Sequence, residues 1–253
     1  MNIGPSFKIL QVNLNRSSSA TESMLQAAIE LKVDLILVQE PWLTPRDPIL
    51  GYKNTRSIAH PSFTQVLPRI AIGDLRPRTL AYIARGFRIE TTLIPIEDPD
   101  LLVLNIGGLE LLNIYNQDPQ LAQGPRTLER SVYPRALSPR AIVLGDFNIH
   151  HPWWDPLASE SQGARELVQW IESKDLSLLN TPGIGTFYRP NLVRPSVLDL
   201  TFATRALGSR IRDWQVLPDL GSDHFGVLFT ILGDSSLVNS PLASIRFNLK
   251  LAN

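Results

Sequence analysis

The chain has 253 residues, 43% of them hydrophobic, and 24 basic side chains balanced by 24 acidic ones, for a formal net charge of zero. That length supports one large domain with a deep core, and the balance of charge excludes a supercharged tail, so contact with a polyanion must come from a local basic patch. With no cysteine, neither a disulfide framework nor a cysteine-based zinc site can form. No stretch nears the ~18 apolar residues of a membrane span, and the N-terminus MNIGPSFKILQ lacks a secretory leader's basic and apolar regions, so a soluble, non-secreted protein is expected.

From Phe7, FKILQVNLN alternates, with Leu10, Val12 and Leu14 on one face and Gln11, Asn13 and Asn15 on the other, the period of a strand. ATESMLQAAIELK spaces Met24, Leu25, Ala28, Ile29 and Leu31 as in a helix, with Thr21 or Ser23 as its cap. LILVQE reads as a short buried strand that stops at Glu40, before Pro41. Between Gly51 and Pro95 strands and turns dominate, TLAYIARG and FRIETTLIP most clearly. LLVLNIGGLELLNIYNQ reads as a hairpin around Gly107 and Gly108, leaving Tyr115 near the end of its second strand. PRTLERSVYPRAL is a polar helix candidate bounded by proline. In AIVLGD the apolar run is too short for a helix and predicts a core strand, with Asp146 where it emerges. ARELVQWIESKDL puts Leu167, Trp170 and Ile171 on one helical stripe, and SVLDLTFAT and FGVLFTIL are further strands. No repeat or long linker divides the chain, which predicts one domain over residues 1–232 and a poorly packed tail over 233–253. Hairpins mixed with strand-helix-strand crossovers predict an α/β fold of two packed sheets flanked by helices.

Glu40, Tyr115, Asp146 and Asp199 each interrupt or end an apolar run. Burying three carboxylates without compensation is untenable, so a divalent cation or paired donors are expected beside them. Hard oxygen ligands point to Mg²⁺, with Mn²⁺ as its substitute. Zinc fits poorly: His150 and His151 are adjacent and face opposite ways in extended backbone, no HExxH helix supports them, and a loop-shaping role is expected. His60 has no motif around it. GSDHFG sets His224 beside Asp223 in a glycine-flanked turn, and a carboxylate neighbour suits an imidazole to stay protonated while facing a phosphate. With no GxSxG elbow, P-loop or GxGxxG, water is the expected nucleophile. Most basic residues are arginines, grouped at 126, 130, 135 and 140 and at 189, 194, 205, 210 and 212, and the guanidinium fork suits phosphate.

Taken in order, QVNLN with Asn13, LVQEPW with Glu40, NIYNQ with Tyr115, GDFN with Asp146 and Asn148, GTF with Thr186, SVLDLTF with Ser196 and Asp199, and GSDH with Asp223 and His224 resemble the endonuclease/exonuclease/phosphatase superfamily. Within it, QVNLNRS, GDFNIHHPWW and LDLTF are most similar to the apurinic-type endonuclease domains of non-LTR, LINE-like retrotransposons. The terminal RFNLKLAN looks like the start of a connector to a reverse transcriptase, which implies a free-standing endonuclease domain or a truncated element copy.

The resemblance implies a four-layer α/β/β/α sandwich like that of pancreatic deoxyribonuclease, its catalytic groups gathered at one end of the two sheets. On that reading Asp146 orients or deprotonates the attacking water, and Asn148 holds the water or donates to the phosphate. Tyr115 donates to a non-bridging oxygen, as does His224 paired with Asp199. Glu40 binds the metal with Asn13 close by, and Asp223 supports the metal or the leaving-group end. Thr186, Ser196 and Arg189 are expected on the substrate side, while Trp153 and Trp154 pack their loop down. Asn15 and Arg16 stand where many relatives carry a glycine-containing pair, a departure that speaks against abasic-site repair but not against phosphodiester hydrolysis.

The implied activity is Mg²⁺-dependent nicking of one DNA strand to leave a 3′-hydroxyl. Two alternatives stand beside it: hydrolysis of RNA or another phosphate ester, and a noncatalytic nucleic-acid-binding fragment. DNA is the expected partner, with no membrane and no obligate protein partner, and the nucleus is the expected address because of that substrate.

Overall fold

In a computed structural model of the chain, residues 4–68 and 75–233 are described, so all of the expected tail except Gly233 lies outside the described residues. The elements in chain order are β1 (Phe7–Asn13), α1 (Ser18–Glu30), β2 (Leu35–Gln39), β3 (Phe63–Val66), β4 (Thr79–Ala84), β5 (Thr91–Ile94), β6 (Leu101–Ile106), β7 (Leu109–Tyr115), β8 (Ala141–Asp146), α2 (Ala164–Ser173), β9 (Leu176–Leu178), β10 (Asp199–Thr204), α3 (Arg205–Gly208), β11 (Ile211–Val216) and β12 (Val227–Ile231). They form two six-stranded sheets, ordered β11-β12-β1-β2-β4-β3 and β5-β6-β7-β8-β10-β9.

Strands at the centre of each sheet are apolar on both faces because both faces are covered. Phe7, Ile9, Leu35 and Leu37 of the first sheet meet Leu102, Leu104, Leu111, Ile142 and Leu144 of the second in the core between the sheets. On the outer side, Leu10, Val12, Ile36 and Val38 pack under Ala20, Met24, Leu25 and Ala28 of α1. Leu112, Ile114, Val143 and Phe202 pack under Ala164, Leu167, Trp170 and Ile171 of α2. The layers are therefore α/β/β/α, as expected, with one long helix on each outside.

Each sheet has a parallel pair at its middle, β1 with β2 and β7 with β8, while the other pairings are antiparallel. The carboxyl ends of these parallel pairs carry Asn13, Glu40, Tyr115 and Asp146. Side chains at the ends of parallel strands line the crevice where open α/β sheets bind ligands. Antiparallel β10 enters beside β8 with Asp199 directly opposite Asp146. Strand order and register thus set five of the predicted groups at one end of the two sheets.

At this end the layer between the sheets turns polar. Thr201 donates its hydroxyl to Gln11 at 3.3 Å, Gln39 donates to the side-chain oxygen of Asn113, and Asn113 in turn donates to the carbonyls of Val38 and Leu80 at 3.1 and 3.2 Å. These residues are fully buried, so each bond satisfies a group that would otherwise be costly in a low-dielectric interior.

Several local expectations are corrected. Helix α1 is capped not by Thr21 or Ser23 but by Ser17, whose hydroxyl accepts from the Ala20 N–H at 3.1 Å; Thr21 is buried and donates to the Ser17 carbonyl. PRTLERSVYPRAL forms only a five-residue π-helical turn, Leu128–Val132, between its two prolines. Strands β9 and β11 and the four-residue α3 are additions to the sequence reading.

Candidate active site

Asp146 is 1% exposed at the end of β8 and sits at the centre of a polar chain. Its Oδ2 accepts from the Asn13 side-chain amide at 2.9 Å and from that of Asn148 at 3.1 Å, and its Oδ1 accepts from the Asn148 backbone N–H at 3.1 Å. Phe147 and Ile149 are both fully buried beneath α2, which turns Asn148 back toward Asp146. Asn148 does this in the left-handed region, φ +48°, and also donates to the Asn116 carbonyl at 2.9 Å. Burial raises the Asp146 carboxyl and the Asp199 charge adds to the rise, while His224 and the amide donors oppose it; the result is a value of about 7.

His224 is buried beside it. Its Nδ1 lies 2.8 Å from Asp199 Oδ2, and its Nε2 lies 4.0 Å from Asp146 Oδ2, too far for a hydrogen bond. Asp199 thereby fixes the ring's orientation and leaves Nε2 turned toward Asp146. Burial alone would lower the imidazole, but the charges of Asp199, Asp146 and Asp223 and the bond to Asp199 more than offset it, raising the ring to about 9. In the free protein His224 is expected to hold its second proton through neutral pH and lose it near pH 9. Asp199→Asn, which removes the largest raising cause, should bring the ring's titration down by about 1–3 pH units, observable in the ¹⁵N shifts of the histidine rings; an unmoved midpoint would show that Asp199 does not control it.

Thr186 and Ser196 lie behind this pair. Thr186 is buried, and its hydroxyl accepts from the Leu198 and Asp199 N–H groups at 3.1 and 3.0 Å, so it positions Asp199 instead of facing substrate. Ser196 exchanges backbone bonds with Phe187, whose ring packs 4.7 Å from that of His224. Arg189 lies over the Phe187 ring at 5.0 Å and donates to Asp223 at 2.8 Å. The structure thus ties Asp223 to Arg189, while Ser222 next to it donates to the Asn13 carbonyl at 2.8 Å and fastens the turn to β1.

Tyr115 is paired with Asp146 across the parallel β7–β8 ladder. Burial, then the charges of Glu40 and Asp146, push its hydroxyl well above the ordinary phenol range, so it is held as a donor. The Arg78 guanidinium lies 5.2 Å over its ring and is anchored on Asp100. Glu40, at φ +44°, follows β2 and is ion-paired with Arg16. The motifs missed Arg78, which no spacing signal links to Tyr115, and NIYNQ contains Asn116 without showing its bonds to Phe147 and Asn148, 31 and 32 residues on.

The donor set fits a hard cation. Glu40 offers a carboxylate that is 12% exposed, and Asn13 beside it keeps its side-chain oxygen on the same turn, where it accepts from the Asn15 N–H at 2.9 Å. Among the described residues no three His, Asp or Glu side chains converge as a cage. One or two protein ligands completed by water and substrate phosphate is the coordination Mg²⁺ favours.

The remaining expected features sort cleanly. Trp154 is fully buried and donates its indole N–H to the Ile149 carbonyl at 3.0 Å, and His151 accepts from the Trp153 N–H at 3.0 Å, so this stretch packs the loop as expected. His60 lines a cleft of about 990 Å³ along β3, away from Asp146 and His224. The arginine groups are corrected: Arg126 pairs with Glu129, Arg130 with Asp98 and Asp100, Arg135 with Glu110, Arg194 with Asp155 and Arg205 with Asp175. All but the exposed Arg205–Asp175 pair brace the scaffold, and the positive field these arginines offer a polyanion is smaller than their number suggests.

Comparison with known proteins supports the resemblance read from the motifs. Residues 109–228 match the family described as endonuclease-reverse transcriptase. A 94-residue stretch is 38% identical to the RNA-directed DNA polymerase from mobile element jockey of Drosophila melanogaster, covering 37% of this chain and 10% of that protein. The fold is that of the endonuclease domain of TRAS1, a telomere-specific non-LTR retrotransposon, with a TM-score of 0.70 at 23% identity over 90% of this chain and 99% of the other. It is also that of the AP endonuclease LMAP from Leishmania major, with a TM-score of 0.65 at 14% identity over 92% and 89% of the two chains.

Proposed function

We propose, from the premise that this chain shares the fold of retrotransposon and apurinic endonucleases, that it is a divalent-cation-dependent endonuclease that nicks one strand of DNA and leaves a 3′-hydroxyl. The observation that carries the proposal is the unbroken chain Asn13–Asp146–Asn148 with His224 and Asp199 against it and Tyr115 on the neighbouring strand. Residues from both sheets converge on one place where a phosphodiester can sit.

Each group has chemistry to do there. Asp146 orients the attacking water and accepts its proton; Asn148 and Asn13 hold the carboxylate in place. Tyr115 and His224 donate to non-bridging oxygens as negative charge builds on phosphorus, the kind of stabilisation that contributes most in such reactions. Mg²⁺ held by Glu40, with Asn13 near it, would act as a Lewis acid on the phosphate. The likeness to endonuclease-reverse transcriptases and to a mobile-element protein favours DNA over other phosphate esters as substrate, and we propose the nucleus as the address such a substrate implies.

Supercoiled plasmid incubated with the purified chain in Mg²⁺ should relax to the nicked form, and should stay supercoiled in EDTA or with His224→Ala. Relaxation that persists in EDTA, or equal nicking by a folded His224→Ala protein, would remove the proposal. A panel that includes RNA and other phosphate esters separates the substrate classes.

A further inference from the structure

Arg16 takes no part in the reading so far, yet the backbone around it is built with care. Asn15 and Arg16 are consecutive non-glycine residues in the left-handed region, at φ +43° and +59°, and Glu40 is a third, at +44°. Such positions are uncommon away from glycine and gather at functional sites. The Leu14 N–H donates to the Gln39 carbonyl at 2.9 Å and the Arg16 N–H to the Glu40 carbonyl at 2.8 Å, so two more rungs carry the β1–β2 pairing past the strand ends and set the two side chains opposite each other. The Asn13 side chain pins this turn through the Asn15 N–H while donating to Asp146. Arg16 is therefore fastened to the same group that holds the Asp146 carboxylate.

Both Nε and Nη2 of Arg16 converge on Oε1 of Glu40, and the Arg16 side chain is 54% exposed where Glu40 is 12% exposed. We propose that Arg16 is an exchangeable counter-ion: its guanidinium neutralises Glu40 in the free protein and turns to the non-bridging oxygens of the substrate phosphodiester when Glu40 holds a cation. The inference rests on the nuclease reading above. Its logic is electrostatic. A carboxylate facing a polyanion must be neutralised, a guanidinium and a divalent cation repel each other over the same oxygens, and the displaced fork matches a phosphate as well as it matched a carboxylate.

The exchange predicts opposite signs for one substitution. Calorimetric titration of the full chain with Mn²⁺ should show Arg16→Ala binding the ion about twofold to fivefold more tightly than wild type, the range expected when an exposed ion pair no longer competes. Binding to a DNA duplex in Ca²⁺ should be weaker in the same variant, with the salt dependence shallower by roughly one phosphate contact. Arg16→Lys, which keeps the charge without the fork, should restore the weaker Mn²⁺ binding but only part of the DNA affinity. Circular dichroism and thermal melting confirm folding, and Arg16→Gln replaces Arg16→Ala if the latter melts early. Unchanged or weaker Mn²⁺ binding by the folded variant overturns the exchange and leaves Arg16 as a brace for Glu40. Failure of the wild-type protein to bind Mn²⁺ or DNA overturns the nuclease reading, and the exchange with it.

Discussion

Asp146→Asn is expected to slow plasmid nicking by about 10²–10⁴-fold, the usual worth of a positioned general base, with the circular dichroism spectrum intact. The substitution keeps the shape of the side chain and removes its capacity to accept the water's proton. The environment of Asp146 makes the comparison informative, because all three of its hydrogen bonds are accepted from Asn13 and Asn148. An amide in its place must turn one N–H toward donors, so a stability cost of about 1–3 kcal/mol is expected alongside the kinetic loss. Single-turnover nicking rates measured below the melting temperature separate the two effects. A folded variant within tenfold of the wild-type rate would take Asp146 out of the chemistry and leave it as a scaffold carboxylate.

The largest structural effect is expected one residue earlier. Gly145 adopts φ +142°, and a Cβ there would lie 1.9 Å from the Ile114 carbonyl oxygen, inside the parallel β7–β8 pairing where Ile114 and Gly145 face each other. Neither backbone can yield without breaking the ladder that delivers Tyr115 and Asp146. Gly145→Ala should therefore cost more than about 3 kcal/mol, lowering the melting temperature by roughly 6–12 °C or more. Gly86→Ala is the matched control: a Cβ there meets nothing within 4 Å, and the change should fall within about 0.5 kcal/mol of wild type. Equal melting temperatures for the two variants would contradict the backbone geometry at Gly145.

Most of the central strands could be read because both of their faces are buried, so each shows as an apolar run ended by a polar residue: LILVQ before Glu40, AIVLG before Asp146. The strands that could not be read fail that pattern for visible reasons. In β11 the register shifts between Arg212 and Gln215, with Asp213 at φ +57°, and this bulge breaks the alternation. Strand β9 has three residues, directly after Asp175 at φ +50°, which is too short to show a period. At the site, the neighbours Asp146 and Asn148 carry a local signal. The pairing of Asn13 with Asp146 spans 133 residues and that of His224 with Asp199 spans 25, and only the ordered resemblance could join them. Most of the arginines misled for a similar reason, since the acidic partners of Arg130, Arg135, Arg194 and Arg205 lie far along the chain, while Arg126 has its partner Glu129 within one turn.

Side chains reaching across the gap, Thr201 to Gln11 and Gln39 to Asn113, stitch the two halves of the sandwich together just beneath the chemistry. The connections 41–62, 148–163 and 181–198 all leave or enter the strands at that same end. If the proposed cleavage takes place there, a stiff floor under replaceable rims would separate cutting from choosing: target preference could drift by exchanging or lengthening a rim, while the floor beneath keeps its spacing. On the proposed nuclease reading, retargeting would then become a problem of loop grafting that leaves the Asp146–His224 end of the sheets untouched.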